Sequence, residues 1–166
     1  MNIREAILIK LEEDLPDLQS LNGYELNYNT IVKGYLSLND CKNFPTVCYD
    51  LSSVSSASAG ETVQQNLNTS RLIIWIYVSE FKEKGKVMNI REQAISDITK
   101  FVMQDTSVTH CLRLDEVLSS EGAGVSDWNI DIEHSTDYAE GKAVIQATIN
   151  ISYYEFHTQQ NNYQNI

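Results

Sequence analysis

The chain has 166 residues, of which 42% are hydrophobic, and this is enough for one domain with a substantial core. Its 12 Lys and Arg stand against 23 Asp and Glu, which gives a formal net charge of −11. Because nucleic-acid affinity depends on cations that displace counterions from phosphates, this charge argues against specific nucleic-acid binding. The same charge is compatible with a protein that DNA passes without being bound.

The cysteines and the apolar runs indicate the cellular compartment in which the protein is expected. Cys41, Cys48 and Cys111 are odd in number and have no CxxC spacing, which favours small buried or near-surface thiols over disulfides or a zinc site. The start, MNIREAILIKLEEDL, lacks the basic region and uninterrupted apolar run of a secretion signal. The longest apolar run, LIIWIYV, is too short to cross a bilayer. We therefore expect a soluble intracellular protein with no membrane contact.

The first predicted element is an amphipathic helix that starts near residue 3. Asn2 is positioned to cap it, with Glu5 as the reciprocal partner, and Pro16 is expected to end or kink it. The stretch YELNYNTIVKGYLSL (24–38) is less regular and could form a short strand or a turn. The apolar positions of the helix recur at steps of three and four: Ile3, Ile7, Leu8, Leu11, Leu15 and Leu18.

Two strands are predicted next, over 46–51 and 70–81. In the second strand both faces are apolar. Leu72, Ile74, Ile76 and Val78 share one face, and Ile73, Trp75 and Tyr77 share the other. Between the strands lies the polar segment LSSVSSASAGETVQQNLNTS (51–70). Hairpin connections usually need two to five residues, so a segment of this length is expected to be functional or mobile.

A second helix and an antiparallel meander complete the predicted elements. KGKVMNIREQAISDITKFVMQD predicts a helix with Ala94, Ile98, Phe101 and Val102 on one stripe, and Asn89 with Glu92 fit a capping pair at its start. Strands follow over 111–119, 126–134 and 142–156, with turns at EGAG and STDYAEGK. The last strand alternates between a core face and a solvated face. The core set is Ile145, Ala147, Ile149, Ile151 and Tyr153, and the solvated set is Gln146, Thr148, Asn150 and Ser152.

Together these elements predict an α+β fold in a single domain over residues 1–156. The sheet is expected to be mixed and mostly antiparallel, with four to five strands. The two main helices would pack on one side of it, and a long flexible loop over about 52–69 would join the first two strands. Residues 157–166 form a polar, amide-rich tail that we expect to be mobile.

No enzyme signature is present: the chain has no GxSxG, HExxH, Walker or GxGxxG motif. The histidines, His110, His134 and His157, fall on separate elements, and His134 is expected to be a partly buried structural residue. Asp131 and Glu133, with Glu116 on a neighbouring strand, could hold Mg²⁺. A solvated face of an acidic protein is the favoured interpretation. We therefore predict no catalytic residues, no metal and no cofactor.

Two features predict contacts with other proteins. Ile73, Trp75 and Tyr77 are either buried under the first helix or the 24–38 region, or form a subunit interface, where Trp and Tyr are enriched. The polar segment has too little apolar surface to offset its own ordering entropy, so we expect it to be mobile in a free monomer and to bind a partner. Its candidate contact residues are Val54, Ala59, Gly60, Glu61, Val63 and Leu67.

The order of elements resembles the tail-terminator (tail-completion) proteins of tailed bacteriophages and their relatives in phage necks. FPTVCYDL, a long polar insertion, TSRLIIWIYVSE, a helix REQAISDITKFV and a closing strand KAVIQATINISYYEF follow in that order. The likeness covers about residues 44–156. It is carried by Pro45, Thr69, Ser70, Arg71, Tyr77, Val78, Ala94, Ile95, Asp97 and Ile98.

The resemblance implies a structural virion protein that is not an enzyme. Such proteins form a ring, commonly a hexamer, on the head-proximal end of the tail tube. The ring ends tube polymerisation and presents a surface to the head connector, and DNA passes through it. The expected partners are further copies of the chain, the tail tube protein and the connector. The expected location is the tail or neck of the virion, after assembly in the host cytoplasm. Two alternatives to the tail-terminator function are a head–tail connector component and a non-viral protein-binding adaptor.

Overall fold

In a computed structural model, the protein is described over residues 3–20, 22–58, 65–103, 111–114 and 124–156. Helix α1 spans Ile3–Asp14 and helix α2 spans Val87–Met103. The strands are β1 (Thr30–Lys33), β2 (Thr46–Ser58), β3 (Gln65–Ser79), β4 (Gly124–Asp137) and β5 (Lys142–Phe156). The tail 157–166 and the residues 59–64 lie outside the described residues, as does Asn2 with its predicted cap.

Within the described residues, the strands form a five-stranded sheet with the order β1-β2-β3-β5-β4. β1 pairs with β2 in parallel, and every other neighbouring pair is antiparallel. The sheet is therefore mixed and mostly antiparallel, and the predicted α+β class is confirmed. β1 comes from the region in which the sequence left a strand or a turn open.

α1 ends two residues before Pro16, and a 3-10 helix (Leu15–Ser20) continues the chain. Proline has no N–H to donate and its ring crowds the preceding turn, which accounts for the change of helix type at this point. The predicted apolar positions Ile7, Leu11, Leu15 and Leu18 are all fully buried. The α-helical and 3-10 parts thus present one continuous apolar stripe to the core.

The predicted loop over 52–69 is shorter than expected. β2 continues to Ser58 and β3 begins at Gln65, so most of the polar segment is paired strand. A register shift between Leu51 and Val54 marks a β-bulge in β2. The Arg4 side chain donates to the backbone oxygens of Leu51 and Ser52, at 3.0 and 2.9 Å. Backbone pairing and this arginine supply the stabilisation that serine-rich side chains cannot, so composition alone overestimated the loop.

α2 carries the predicted stripe, but its start differs from the prediction. The helix begins at Val87, so Asn89 lies inside its first turn and cannot be the cap. The backbone N–H of Val87 donates instead to Glu80 Oε2 at 3.1 Å. A carboxylate from the preceding turn therefore satisfies a free N–H at the helix start, where negative charge is favoured.

One main core lies between the helices and one face of the sheet. Ala94, Ile98, Phe101 and Val102 of α2 are buried in it, which confirms the predicted stripe. α1 contributes to the same cluster, so both helices cover the same face of the sheet, as predicted. The sheet contributes alternate residues of its central strands, the largest sets being Leu72, Ile74, Ile76 and Val78 of β3 and Ala143, Ile145, Ala147, Ile149, Ile151 and Tyr153 of β5.

Asp97 of α2 is fully buried and fixes the segment before β1. Its carboxylate accepts from the backbone N–H groups of Glu25 and Leu26 at 2.7 and 3.0 Å, and from the Tyr28 hydroxyl at 2.7 Å. Burial raises the pKa of Asp97 despite these three donors, and the Glu25 charge adds to the rise. The contact joins segments that are about seventy residues apart in the chain, and periodicity gives no sign of it.

The closing meander is confirmed in its second half only. β4 and β5 pair along their length through a turn at 138–141. Where the chain is described between 111 and 114, no strand exists: Cys111 and Leu112 are both buried and Leu114 is helical. Leu112 N–H donates to the Phe101 carbonyl at 3.0 Å, so this segment closes the end of α2. The remainder of the predicted strand, with Glu116 and the EGAG turn, is largely outside the described residues.

Neither α1 nor α2 is long and apolar enough to cross a membrane, and this holds for every helix in the described part of the chain. The three cysteines are buried and unpaired, as predicted. His134 is exposed on β4, so the prediction of a partly buried structural histidine is wrong. β4 is the last strand on its side of the described sheet, and the core that reaches Trp128, Ile130 and Ile132 does not extend to position 134.

Candidate functional site

The candidate site is the face of the sheet that points away from α1 and α2. Successive side chains of a strand point to opposite faces, so the odd-numbered residues of β3 and β4 and the even-numbered residues of β5 line it. One part of this face is covered by the chain itself, and the other is open.

The covered part is a second, smaller core. Tyr77 and Cys48 are buried there with Cys41 and Phe44. The segment between β1 and β2 forms the cover, and the Tyr77 hydroxyl donates to the Leu36 carbonyl. Partly buried residues extend the cluster, namely Val32, Leu36, Leu38, Trp75 and Val144. The question left open by the sequence is answered for Tyr77: the 24–38 region and the residues that follow it bury its side chain.

Trp75 lies at the border between the covered and the open part. Its ring makes an edge-to-face contact with Tyr35, with 5.1 Å between centroids and 73° between planes. Its Nε1–H donates to Gln146 Oε1 at 3.2 Å. Tyr35 itself is 65% exposed, so the aromatic pair is covered on one side only.

Burial favours the neutral forms of Cys48 and Tyr77 in the covered part. Burial raises the pKa of the Cys48 thiol, and its Sγ lies 3.8 Å from the Tyr77 hydroxyl. Burial likewise raises the pKa of Tyr77. A cysteine nucleophile requires the thiolate, and this environment favours the neutral thiol. Cys48 and Tyr77 therefore contribute to this part as packed core residues.

The open part is a shallow polar trough of about 430 Å³. Arg71 on β3 forms one side, and Asp131 and Glu133 on β4 form the other. The side chains of β5 between them are the polar set predicted as solvated, Gln146, Thr148 and Asn150. Since β5 separates β3 from β4, the two charged sides stand about 10 Å apart at the backbone.

The charges of the trough have no partners in the described part of the chain. Neither Asp131 nor Glu133 forms an ion pair with a described residue, and the Arg71 guanidinium forms none either. No group of three or more His, Cys, Asp or Glu among the described residues is placed to hold a metal ion. The arrangement is that of a surface on which charged and polar groups remain available to another molecule.

The structure brings together only some of the predicted contact residues. Ile73 and Trp75 lie half-buried on the open face, and Leu67 shares that face further along β3. Val54 is 48% exposed but lies opposite Ser70, on the helix side of the sheet. Tyr77 is buried and therefore unavailable to a partner. The other candidates, Ala59, Gly60, Glu61 and Val63, lie outside the described residues.

Sequence reasoning missed Arg71 and the turn after β3. β3 ends at Ser79, two residues earlier than predicted, so Phe81 is 74% exposed in a turn. Lys82, Lys84 and Lys86 follow it and are also exposed. Three lysines at alternate positions in EFKEKGK were a visible signal of a solvated turn. The apolar Phe81 had extended the strand prediction to residue 81, and the helix prediction had begun at Lys84, so no turn was predicted between them.

Comparison with known proteins adds no relative. No family model matches the sequence, and a search of curated proteins finds no significant match.

Proposed function

We propose that this protein is a structural virion protein of a tailed bacteriophage. It forms a ring on the head-proximal end of the tail tube, ends tube polymerisation and offers the surface to which the head connector attaches. DNA passes through the ring. The proposal extends the resemblance in element order, and it is compatible with the fold, since a mixed sheet with helices on one side is what that resemblance implies.

The long β2–β3 hairpin is the observation that carries the proposal. β1 pairs with residues 46–49 of β2, and no other described strand pairs with β2 on that side, so the outer part of β2 lies at the edge of the described sheet. There Ser52, Val54, Ser55 and Ser56 are all exposed. An exposed strand edge offers backbone N–H and C=O groups for pairing with another chain. A polar edge of this kind suits contact with an assembly partner better than burial in the protein's own core.

The net charge of −11 fits the same role. A ring that surrounds DNA during ejection must not retain it, and an acidic surface repels phosphates.

Deletion of the gene from the phage tests the function. Electron microscopy should then show overlong tails without heads, because tube growth would lack its stop. Tails of normal length without heads would contradict termination and favour a connector component. The flanking genes give an independent check, since a tail-tube gene is expected nearby and genes of unrelated metabolism would count against the proposal.

A pair of variants tests the hairpin itself. Ser55→Arg places a bulky cation on the exposed edge and should reduce termination when the purified protein is added to polymerising tail-tube protein. Gln19→Arg introduces the same cation at an exposed position of the 3-10 helix after α1, outside both the hairpin and the open sheet face, and should leave termination unchanged. Equal effects of the two variants would remove the hairpin from the mechanism.

A further inference from the structure

The turn between β3 and α2, residues 80–86, is the strongest concentration of positive charge in the described part of the chain. Lys82, Lys84 and Lys86 are exposed there, three of the 12 cations of the whole protein within five residues. None of the three forms an ion pair with a described residue. Phe81, the most exposed of the large apolar side chains described, adjoins them at 74% exposure.

The two carboxylates of this turn do not cancel that charge at its tip. Glu80 accepts from the N–H of Val87 at the start of α2. Glu83 is half-buried, and desolvation raises its pKa. The turn is also held at its base, because Glu80 N–H donates to the Gly141 carbonyl at 2.8 Å and Glu83 N–H donates to Ser79 at 3.0 Å. It is therefore a fixed projection with a cationic and aromatic tip, which lowers the ordering entropy that docking would cost.

The remainder of the surface limits what this tip can contact. A protein with net charge −11 repels its own copies unless a cationic patch of one copy faces an acidic patch of another. The β4 side of the open trough is such an acidic patch, because Asp131 and Glu133 line it without partners among the described residues, whereas Arg71 lies on the β3 side. Ile73 and Trp75 lie half-buried on the same face and offer apolar surface for a ring such as that of Phe81.

We propose that the 80–86 turn of one copy docks on the open sheet face of a second copy, with its lysines paired to Asp131 and Glu133. This inference deepens the proposed ring and rests on it. The two surfaces lie apart within one copy. The turn follows Ser79, which pairs with Lys142 at the start of β5, whereas Glu133 pairs with Gln146, four residues further along β5. Along the strand direction, Glu133 is therefore about 13 Å from the base of the turn. Because the two surfaces differ, the contact is heterologous, and repeated head-to-tail it closes into a ring when the rotation allows.

A charge-exchange experiment tests the contact. The first variant carries Lys82→Glu, Lys84→Glu and Lys86→Glu, and the second carries Asp131→Lys and Glu133→Lys. In the first, turn and trough are both negative, and in the second both are positive. Each variant alone should associate about tenfold or more weakly than the unmodified protein, and an equimolar mixture should regain association. Light scattering after size-exclusion chromatography, at low and high salt, measures the masses, and salt should weaken the mixed complex.

A matched control separates this contact from a general charge effect. Reversal of Lys33, Lys42 and Lys100 to glutamate changes the net charge by the same amount but leaves the turn and the trough intact, so this control should self-associate like the unmodified protein. Circular dichroism melts check that every variant is folded. Association of the mixture, and of neither variant alone, would support the contact.

Three results of the binding experiments would overturn the inference. The first is a mixture that remains monomeric at all concentrations. The second is a control that loses self-association to the same degree as the turn variant, which would make the effect one of net charge. The third is a turn variant that loses binding to duplex DNA or anionic vesicles while its self-association is unchanged. Failure of the ring function is seen separately, as tails of normal length after gene deletion. If the turn variant still terminates tubes, the docking contact is wrong and the function stands.

Discussion

Replacement of Asp97 by alanine is the sharpest test of how the segment before β1 is held. The Asp97 side chain is fully buried and accepts three hydrogen bonds, from two backbone N–H groups and from the Tyr28 hydroxyl. Alanine removes the acceptor and leaves the donors in place. The free energy of unfolding should therefore fall by more than the loss of a small side chain would cause.

The magnitude follows from the donors that lose their partner. A buried donor left without an acceptor costs roughly 1–3 kcal/mol. Leu26 N–H and the Tyr28 hydroxyl make buried contacts, whereas the contact of Glu25 N–H is partly exposed and can turn to water. Loss of the buried charge offsets part of the cost, so we expect a net destabilisation of about 3 kcal/mol. Asp97→Asn keeps one oxygen and should cost about 2 kcal/mol.

Urea unfolding followed by tryptophan fluorescence measures these changes, with constant m-values as a check on the comparison. Tyr28→Phe removes one donor and should cost about 1–2 kcal/mol. The double variant with Asp97→Ala should cost less than the sum, because the two single changes delete the same bond. Asp50→Ala is the matched control, the same substitution at an exposed position of β2, and should change stability by less than about 0.5 kcal/mol.

A cost below about 1 kcal/mol for Asp97→Ala would refute this reasoning. It would mean that the donors find other acceptors or water without loss, and that the segment 25–28 is held by packing alone. Strict additivity of the Asp97 and Tyr28 variants would contradict the shared hydrogen bond in particular.

The pH dependence of the same site has a definite sign. Burial raises the pKa of Asp97 in the folded protein above its ordinary value of 3.8. The folded state then holds the proton more tightly than the unfolded state. The stability contributed by this group is fully present below pH 3.8 and is lost as pH rises through the folded value. Relative to Asp97→Asn, the unmodified protein should therefore lose stability as pH increases from that region. A difference that is constant or grows with pH, in urea titrations across this range, would contradict the sign.

Two further substitutions test contacts around the sheet. Gly141→Ala places a Cβ 2.5 Å from Glu80 Cγ at a φ of +61°, so it should lower the melting temperature more than Gly34→Ala, which has open space at a φ of +90°. Equal shifts would show that Glu80 moves aside freely. Tyr77→Phe removes the hydroxyl that donates to the Leu36 carbonyl and should cost about 1 kcal/mol, with faster amide exchange in the segment before β2. Unchanged exchange would show that packing alone holds the cover.

The candidate site could be predicted from the sequence in part. The alternation of β5 correctly separated Ile149 from Thr148, because burial on one side of a strand has a period of two. The same rule placed Ile73 and Trp75 on the face opposite the core. It could not say what covers that face, since the segment that buries Tyr77 lies some forty residues earlier in the chain.

Composition misled in one instance. The serine-rich segment has little apolar surface, so its side chains predict mobility. The structure gives most of it regular pairing with β3, because backbone hydrogen bonds do not depend on side-chain hydrophobicity. The bulge carbonyls at Leu51 and Ser52 are further satisfied by Arg4, whose position is fixed by α1. The free energy that orders the segment comes from its backbone pairing and from Arg4, and amino-acid composition predicts neither contact.

Several buried faces could be read from the sequence alone: the stripes of α1 and α2, the core-facing side of β3 and the alternation of β5. Each follows from a periodicity within a single segment. Only the tertiary structure decided that β5 lies between β3 and β4, and so faces Arg71 towards Asp131 across a polar trough. Strand order and side-chain cover depend on contacts between distant segments, and no local pattern encodes which distant segment will supply them.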